Sequence, residues 1–276
     1  MFRSAGGWRP PSLPRLQTDG VALPTACHPV QPPAPRLRPG RQAGLGGLGG
    51  ADVVTAGAGR EGGLTGLILA GGQSRRLGRD KALIRLDPAG PTLIERVAVV
   101  LASLCHEVLL VGGDPARYAF LGLPHVPDVY PGAGSLGGIY AGLAAAHHDY
   151  ALVVACDMPF LNPALLRYMA ALPRDYDVLT PRWAREAGGR GVLYTPRNEL
   201  AAQTLHAIYG RGCLPPMRAL LEAGERRIIA FFPQVRVRYV EPDEVARFDP
   251  AGRSFFNVNT PAQLRQAERL STPEDM

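Results

Sequence analysis

A short apolar run, Leu64 to Ala70, feeds directly into Leu69-Ala-Gly-Gly-Gln-Ser-Arg-Arg-Leu-Gly-Arg-Asp-Lys81. The run reads as a first β-strand and the rest as a glycine- and arginine-rich turn. A strand ending in such a turn constrains the chain strongly. Backbone N–H groups of the turn can converge as a nest for phosphate oxygens, and the strand must open a sheet that carries this nest at its edge. Gly71 and Gly72 permit close backbone approach and positive φ. Arg75, Arg76 and Lys81 bring charge to where a triphosphate would lie. The pattern is not a Walker A loop, because Arg79 and Asp80 separate Gly78 from Lys81 and no Ser or Thr follows the lysine. Taken alone, the same turn also reads as a surface loop with solvated arginines.

The rest of the chain alternates strands and helices. Thr92–Leu104 has apolar residues at helical spacing, and Glu107–Val111 reads as a strand ended by Gly112 and Gly113. Pro124–Pro127 is a short extended piece, and Ser135–Ala146 a helix opened by glycines. Tyr150–Cys156 is a continuous apolar run of the kind buried in parallel sheets. Pro163–Ala171 follows as a helix and Asp177–Thr180 as a strand. Beyond Trp183 loops and short strands are expected up to Gln203. Leu214–Gly224 then reads as a helix, Arg227–Phe232 and Val235–Val240 as strands, and Thr260–Leu270 as a helix capped by Thr260. These repeated β-then-α units predict a Rossmann-like α/β fold, an open and mostly parallel sheet with helices on both faces. Ligands bind such sheets at the carboxyl ends of the strands.

Residues 1–62 stand apart, with nine Pro and twelve Gly. This composition cannot bury enough apolar surface to offset the entropy of ordering, so the segment is expected to be a disordered Pro/Gly/Arg-rich extension ahead of a nucleotide-handling domain over 63–276. Its bias also fits a start site placed too early, with the true start at a non-Met codon near Val53 or Val54. The net charge of +6 is concentrated there, since seven Arg against three acids leave +4 in residues 1–62 and only +2 in the remainder. A nearly balanced domain with one basic loop suits an anionic small molecule better than nucleic acid. No apolar run approaches the roughly 20 residues needed to cross a bilayer. The cysteines at 27, 105, 156 and 213 form no C-x-x-C pair, which predicts a reduced, cytoplasmic setting.

Asp157 lies just past the strand Tyr150–Cys156, in Ala155-Cys-Asp-Met-Pro-Phe160. A carboxylate there faces the same cleft as the glycine-rich turn. It can hold Mg²⁺ against a triphosphate, because Mg²⁺ usually takes one or two carboxylates plus phosphate oxygens and water. An Asp shortly before Pro at a strand end also reads as the cap of the next helix. Asp128 precedes a glycine-rich stretch that opens a helix, either as a turn residue or as a second nucleotide contact. Lys81 can stabilise charge moving onto a leaving pyrophosphate, with Asp80 either as its ion-pair partner or as a brace for the loop. Asn257 and Asn259 alternate along an extended segment and so face one side, where their amides can pair with a donor-and-acceptor ligand or cap the last helix.

The thirteen-residue turn, C-D-M-P-F around Asp157, Asp128 with Gly134-Ser-Leu-Gly-Gly138, Ala223-Gly-Glu-Arg-Arg-Ile-Ile229 and Phe256-Asn-Val-Asn-Thr-Pro261 resemble, in order, the motifs of the molybdenum cofactor guanylyltransferase family. Ser135 replaces that family's usual proline. The resemblance implies transfer of GMP from GTP to molybdopterin, giving molybdopterin guanine dinucleotide and pyrophosphate. It implies Lys81, Asp157 and Arg76 as catalytic residues, Asp157 as the Mg²⁺ ligand, and Leu69, Ala70, Gly71, Gly72, Lys81, Asp128, Gly134, Gly138 and Asp157 at the GTP. Asn257, Asn259 and Arg226 or Arg227 would meet molybdopterin. Molybdoenzymes or their chaperones are the implied partners for the product. Related cytidylyltransferases tend to carry Leu-Ala-Ala-Gly, so Gly71 is the residue expected to favour a purine. A molybdenum cofactor cytidylyltransferase, a sugar-phosphate nucleotidylyltransferase and a non-catalytic cofactor-delivery protein are the alternatives.

Overall fold

A computed structural model of the chain describes residues 62–71, 80–183 and 201–271. The described residues all belong to one compact unit, within Ala56–Met276. The expected extension over 1–62, Gly62 apart, and the alternative start near Val53 lie outside the described residues.

Described in chain order, the elements are β1 (Thr65–Leu69), α1 (Leu93–Ala102), β2 (Glu107–Val111), α2 (Pro115–Tyr118), β3 (His125–Val126), α3 (Gly134–Ala145), β4 (Tyr150–Ala155), α4 (Pro163–Ala171), β5 (Val178–Trp183), β6 (Ala201–Ala202), β7 (His206–Gly210), α5 (Leu214–Glu222), β8 (Val237–Val240), α6 (Pro242–Ala246) and α7 (Pro261–Leu270). The sheet runs β3-β2-β1-β4-β7-β5-β6, with β8 paired to β5. β3, β2, β1 and β4 are mutually parallel, and β8 is parallel to β5. β7 is antiparallel to both of its neighbours, so the sheet is mixed though mostly parallel.

Helices cover both faces. α1 and α4 pack on one face through Ile94, Val97, Leu165 and Leu166, together with Tyr118 of α2. α3 and α5 pack on the other through Leu136, Ile139, Leu143, Met217 and Leu221. β4 is sandwiched between them, with Ala151, Leu152, Val153 and Val154 fully buried. This is the physical meaning of its uninterrupted apolar run. A third, smaller core gathers Ile84, Leu86, Leu93, Val258, Leu264 and Ala267, and so ties the chain after the first turn to α7.

Local signals set the ends of several helices. Thr92 and Glu95 form a reciprocal capping box at the start of α1. Asn162 accepts from the N–H groups of Ala164 and Leu165 at the start of α4, and Thr260 accepts from Gln263 at the start of α7. Gly224 closes the turn after α5 at φ 77°.

One expected strand is absent. Arg227–Phe232 is not a strand; a 3-10 helix spans Ile228–Gln234. Its three-residue period puts Ile228 and Phe231 on one side, and both pack into the α3–α5 core. Pro233 also lacks the N–H that a ladder needs. The strand β7 and the short helices α2 and α6 have no counterpart among the elements expected from the sequence. Among the described residues no helix is long and apolar enough to cross a membrane.

Candidate active site at the carboxyl edge of the sheet

The register brings the two anchors of the site together. Leu69 of β1 pairs with Ala155 of β4 on one side and Val111 of β2 on the other. Gly71 and Asp157 therefore leave the same edge of adjacent strands, each two residues past a paired position. Strands in a sheet lie about 4.8 Å apart. Lys81, at the start of a short 3-10 helix, comes to the same edge. Its Nζ donates to Asp157 Oδ2 at 2.9 Å and to Asn259 Oδ1 at 2.6 Å. One ammonium thus joins three distant parts of the chain at this edge.

Asp157 is 8% exposed. Its backbone carbonyl accepts from the N–H of Val258 at 3.0 Å, which clips the Asn257–Asn259 segment alongside it. It does not cap α4, since Asn162 does that work. Val258 is fully buried while Asn257 and Asn259 stay half-exposed, so the two asparagines do lie opposite the core. Their amides nevertheless diverge. Asn259 turns to Lys81, whereas Asn257 Nδ2 donates to the carbonyl of Phe255 at 3.3 Å. Neither caps α7, which is capped by Thr260.

Asp80 resolves as a brace rather than as the partner of Lys81. Its Oδ1 accepts from the N–H of Ala82, and its Oδ2 accepts from Arg117 Nη1 at 2.9 Å and the Tyr118 hydroxyl at 2.8 Å. Burial, reinforced by this hydrogen bond, pushes the Tyr118 phenol upward, so Tyr118 stays a donor. Asp80 thereby fixes the short 3-10 helix Lys81–Leu83 and leaves Lys81 to reach Asp157. Arg117, Tyr118 and Gln263 escaped the sequence reading. For Gln263 a signal existed: Thr260-x-x-Gln263 is a capping-box spacing.

Beside this cluster, Gly71 is exposed, lies outside the left-handed φ region, and among the described residues has no neighbour within 4 Å of where a Cβ would stand. The expected positive φ is therefore not used at Gly71; it appears next door, at Gly112 (φ 71°) and Gly113 (φ 73°), where β2 ends against Ala70 and Gly71. Leu69 and Ala70 are buried, and Leu69 packs its side chain into the α3–α5 core. Only their backbone can therefore address a ligand.

Gly134 opens α3 at φ 67°, and Gly138 lies one turn further in, where a Cβ would sit 3.5 Å from Leu69. Asp128 is exposed above this turn and accepts from the N–H of Tyr130. Arg226 and Arg227 are exposed beyond α5, where Glu225 engages both of their N–H groups and the Arg227 guanidinium. That hydrogen bonding holds the Glu225 carboxyl down at about 2. No described contact links these arginines to Asp157. Gly72, Arg75 and Arg76 lie outside the described residues.

Among the described residues no group of three or more His, Cys, Asp or Glu side chains could hold a metal by itself. Mg²⁺ usually takes one or two protein carboxylates and completes its shell with oxygens from water or a phosphorylated ligand, so a lone carboxylate is a sufficient protein donor. Asp157 meets that requirement.

Comparison with known proteins gives the family. The model of the MobA-like NTP transferase domain matches residues 66–238. A probable molybdenum cofactor guanylyltransferase of Pelotomaculum thermopropionicum is 41% identical over 207 residues, 75% of this chain and 93% of the relative. The molybdenum cofactor guanylyltransferase of Desulfosudis oleivorans is 35% identical, over 74% of this chain and 94% of its own length. The crystal structure of molybdopterin-guanine dinucleotide biosynthesis protein A from Archaeoglobus fulgidus superposes with a TM-score of 0.60 at 26% identity, covering 75% of this chain and 97% of that one. The chain belongs to the MobA-like NTP transferase family, among the molybdenum cofactor guanylyltransferases.

Proposed function

We propose that this protein transfers the guanylyl group of GTP to the phosphate of molybdopterin. An acceptor phosphate oxygen attacks the α-phosphorus, the bond from that phosphorus to the α–β bridging oxygen breaks, and pyrophosphate leaves. The observation that carries the reading is the convergence of Lys81 and Asp157 at 2.9 Å across 76 residues of sequence, at the strand edge where the phosphate turn begins. The guanylyltransferase names of the relatives support the choice of substrates.

Asp157 would hold Mg²⁺, which when bound neutralises charge on the triphosphate. Lys81 supplies a fixed cation for the charge that moves onto pyrophosphate, a group placed before the reaction and needing little reorganisation. Exposed backbone at Gly71 offers an approach for the guanine edge, and Gly134, Gly138 and Asp128 line the start of α3 for the rest of the nucleotide. The acceptor is already a phosphate anion, so alignment and charge neutralisation carry the rate rather than a strong base. Asn257 and the Arg226–Arg227 pair are the proposed acceptor contacts, and Arg76 a further cation for the triphosphate. Handing the product to molybdoenzymes or their chaperones belongs to the same reading, as does a cytoplasmic location.

The test is pyrophosphate release from each of the four NTPs, with and without molybdopterin. GTP should release pyrophosphate only when molybdopterin is present, and CTP should be poorer. GTP binding without any release would mark a delivery protein instead, and equal or better use of CTP would overturn the base assignment.

A further inference from the structure

We propose that Asn259 is a positioning residue for Lys81, acting on the nucleotide side of the site rather than as a molybdopterin ligand. The inference rests on the reading of Lys81 as the lysine that meets the triphosphate.

The evidence is geometric. Asn259 Oδ1 accepts from Lys81 Nζ at 2.6 Å, a contact made across 178 residues of sequence. Asp157 Oδ2 accepts from the same nitrogen at 2.9 Å. A lysine side chain carries about 2 kcal/mol of rotamer entropy on a flexible four-carbon stem. One carboxylate fixes its distance but not its direction. A second acceptor, set by a different element, fixes both.

Asn259 is itself held firmly. Its N–H donates to Gln263 Oε1 at 3.0 Å, inside the capped first turn of α7. The preceding Val258 is fully buried and gives its N–H to the carbonyl of Asp157. The segment is therefore pinned to the Asp157 turn on one side and to α7 on the other. Its amide oxygen is a fixed point against which the ammonium rests.

The residue type also fits. A carboxylate at position 259 would grip Lys81 equally well, but two acids facing one ammonium would repel a triphosphate. A neutral amide holds the lysine without adding charge. Asn257 lacks this role, because its amide is engaged by Phe255.

The experiment is a double-mutant cycle on GTP affinity, measured with Mg²⁺ and no acceptor, using Asn259→Ala, Lys81→Ala and the double variant. Asn259→Ala should weaken GTP binding about three- to tenfold, and in the Lys81→Ala background it should change nothing further, as expected for residues acting as one unit. Asn259→Ser keeps a polar side chain too short to reach Nζ and should behave the same, which covers the case that Ala disturbs folding. Unchanged GTP affinity with a raised molybdopterin KM would overturn the proposal in favour of an acceptor contact. Equal losses in both backgrounds would also overturn it, since Asn259 would then act independently of Lys81. If Lys81→Ala leaves both GTP affinity and turnover intact, the underlying reading of Lys81 fails, and that failure is recognisable by itself.

Discussion

Two residues at the end of adjacent strands, Asp157 and Gly71, carry the sharpest expectations because the fold treats them so differently. Asp157 is enclosed and committed: Lys81 binds its side chain and Val258 binds its carbonyl. Asp157→Ala keeps the Val258 clip, which is made by backbone, but removes the carboxylate proposed to hold the metal. We expect kcat to fall by about 100-fold or more, the scale seen when one preorganised charge-stabilising group is lost. Near-parent turnover with Mg²⁺ would show that the carboxylate is structural. Gly71 is the opposite case. A methyl group there meets nothing within 4 Å among the described residues, and the backbone is not in the left-handed region. Gly71→Ala should therefore leave the urea midpoint unchanged while lowering the GTP-to-CTP ratio of kcat/KM. A constant ratio would mean that this position does not read the base.

At the scale of elements, the helix most tightly set against the sheet is α3. A Cβ at Gly142 would come 2.7 Å from Leu67 Cδ1 and 2.9 Å from Val111 Cγ2. Ala is intrinsically better than Gly in a helix by up to about 1 kcal/mol. Overpacking a filled core costs about 1–3 kcal/mol. Leu67 and Val111 are both essentially buried and have no room to swing aside, so overpacking wins. Gly142→Ala should destabilise the protein by about 1 kcal/mol on urea unfolding, and because α3 carries Gly134 and Gly138 to the site it should weaken GTP binding as well. An unchanged midpoint would mean that the helix can lift without cost.

The same elements show what was legible in the sequence. β4 and β2 declare themselves by unbroken apolar runs, α1 by apolar residues at helical spacing, and α7 by its Thr260 cap. β7 was hidden because five residues, His-Ala-Ile-Tyr-Gly, offer no alternation; burial on both faces came from tertiary packing alone. The placing of Asp157 at the same edge as the end of β1 was readable, since it follows a neighbouring strand of a parallel sheet. The split between Asn257 and Asn259 was not. Period-two alternation gives the side on which they emerge, but not which cation each amide will find.

For the molecule as a whole, pH dependence of stability is set in part by a histidine far from solvent. His206 of β7 is fully buried against Phe255, and among the described residues neither ring nitrogen has a hydrogen-bond partner. Burial lowers its pKa from 6.5 to about 4, with Asp249 pulling weakly the other way. The unfolded chain therefore binds a proton on His206 that the folded protein refuses. Its contribution to stability is complete above about pH 6.5 and drains away as the pH falls towards 4. Between pH 7.5 and pH 5.0 this one group should cost the folded state about 2 kcal/mol. His148 shares part of that window, because burial and then the neighbouring His106 ring lower its pKa too. The parent profile alone cannot isolate His206, but the difference between parent and His206→Leu can. Leu leaves no orphaned nitrogen, so the variant should match or exceed the parent at neutral pH. Urea midpoints taken at both pH values should then show the variant losing about 2 kcal/mol less than the parent on acidification. Parallel losses in the two proteins would mean that His206 accepts its proton inside the fold, and that the acid sensitivity of this molecule arises at its other titrating groups.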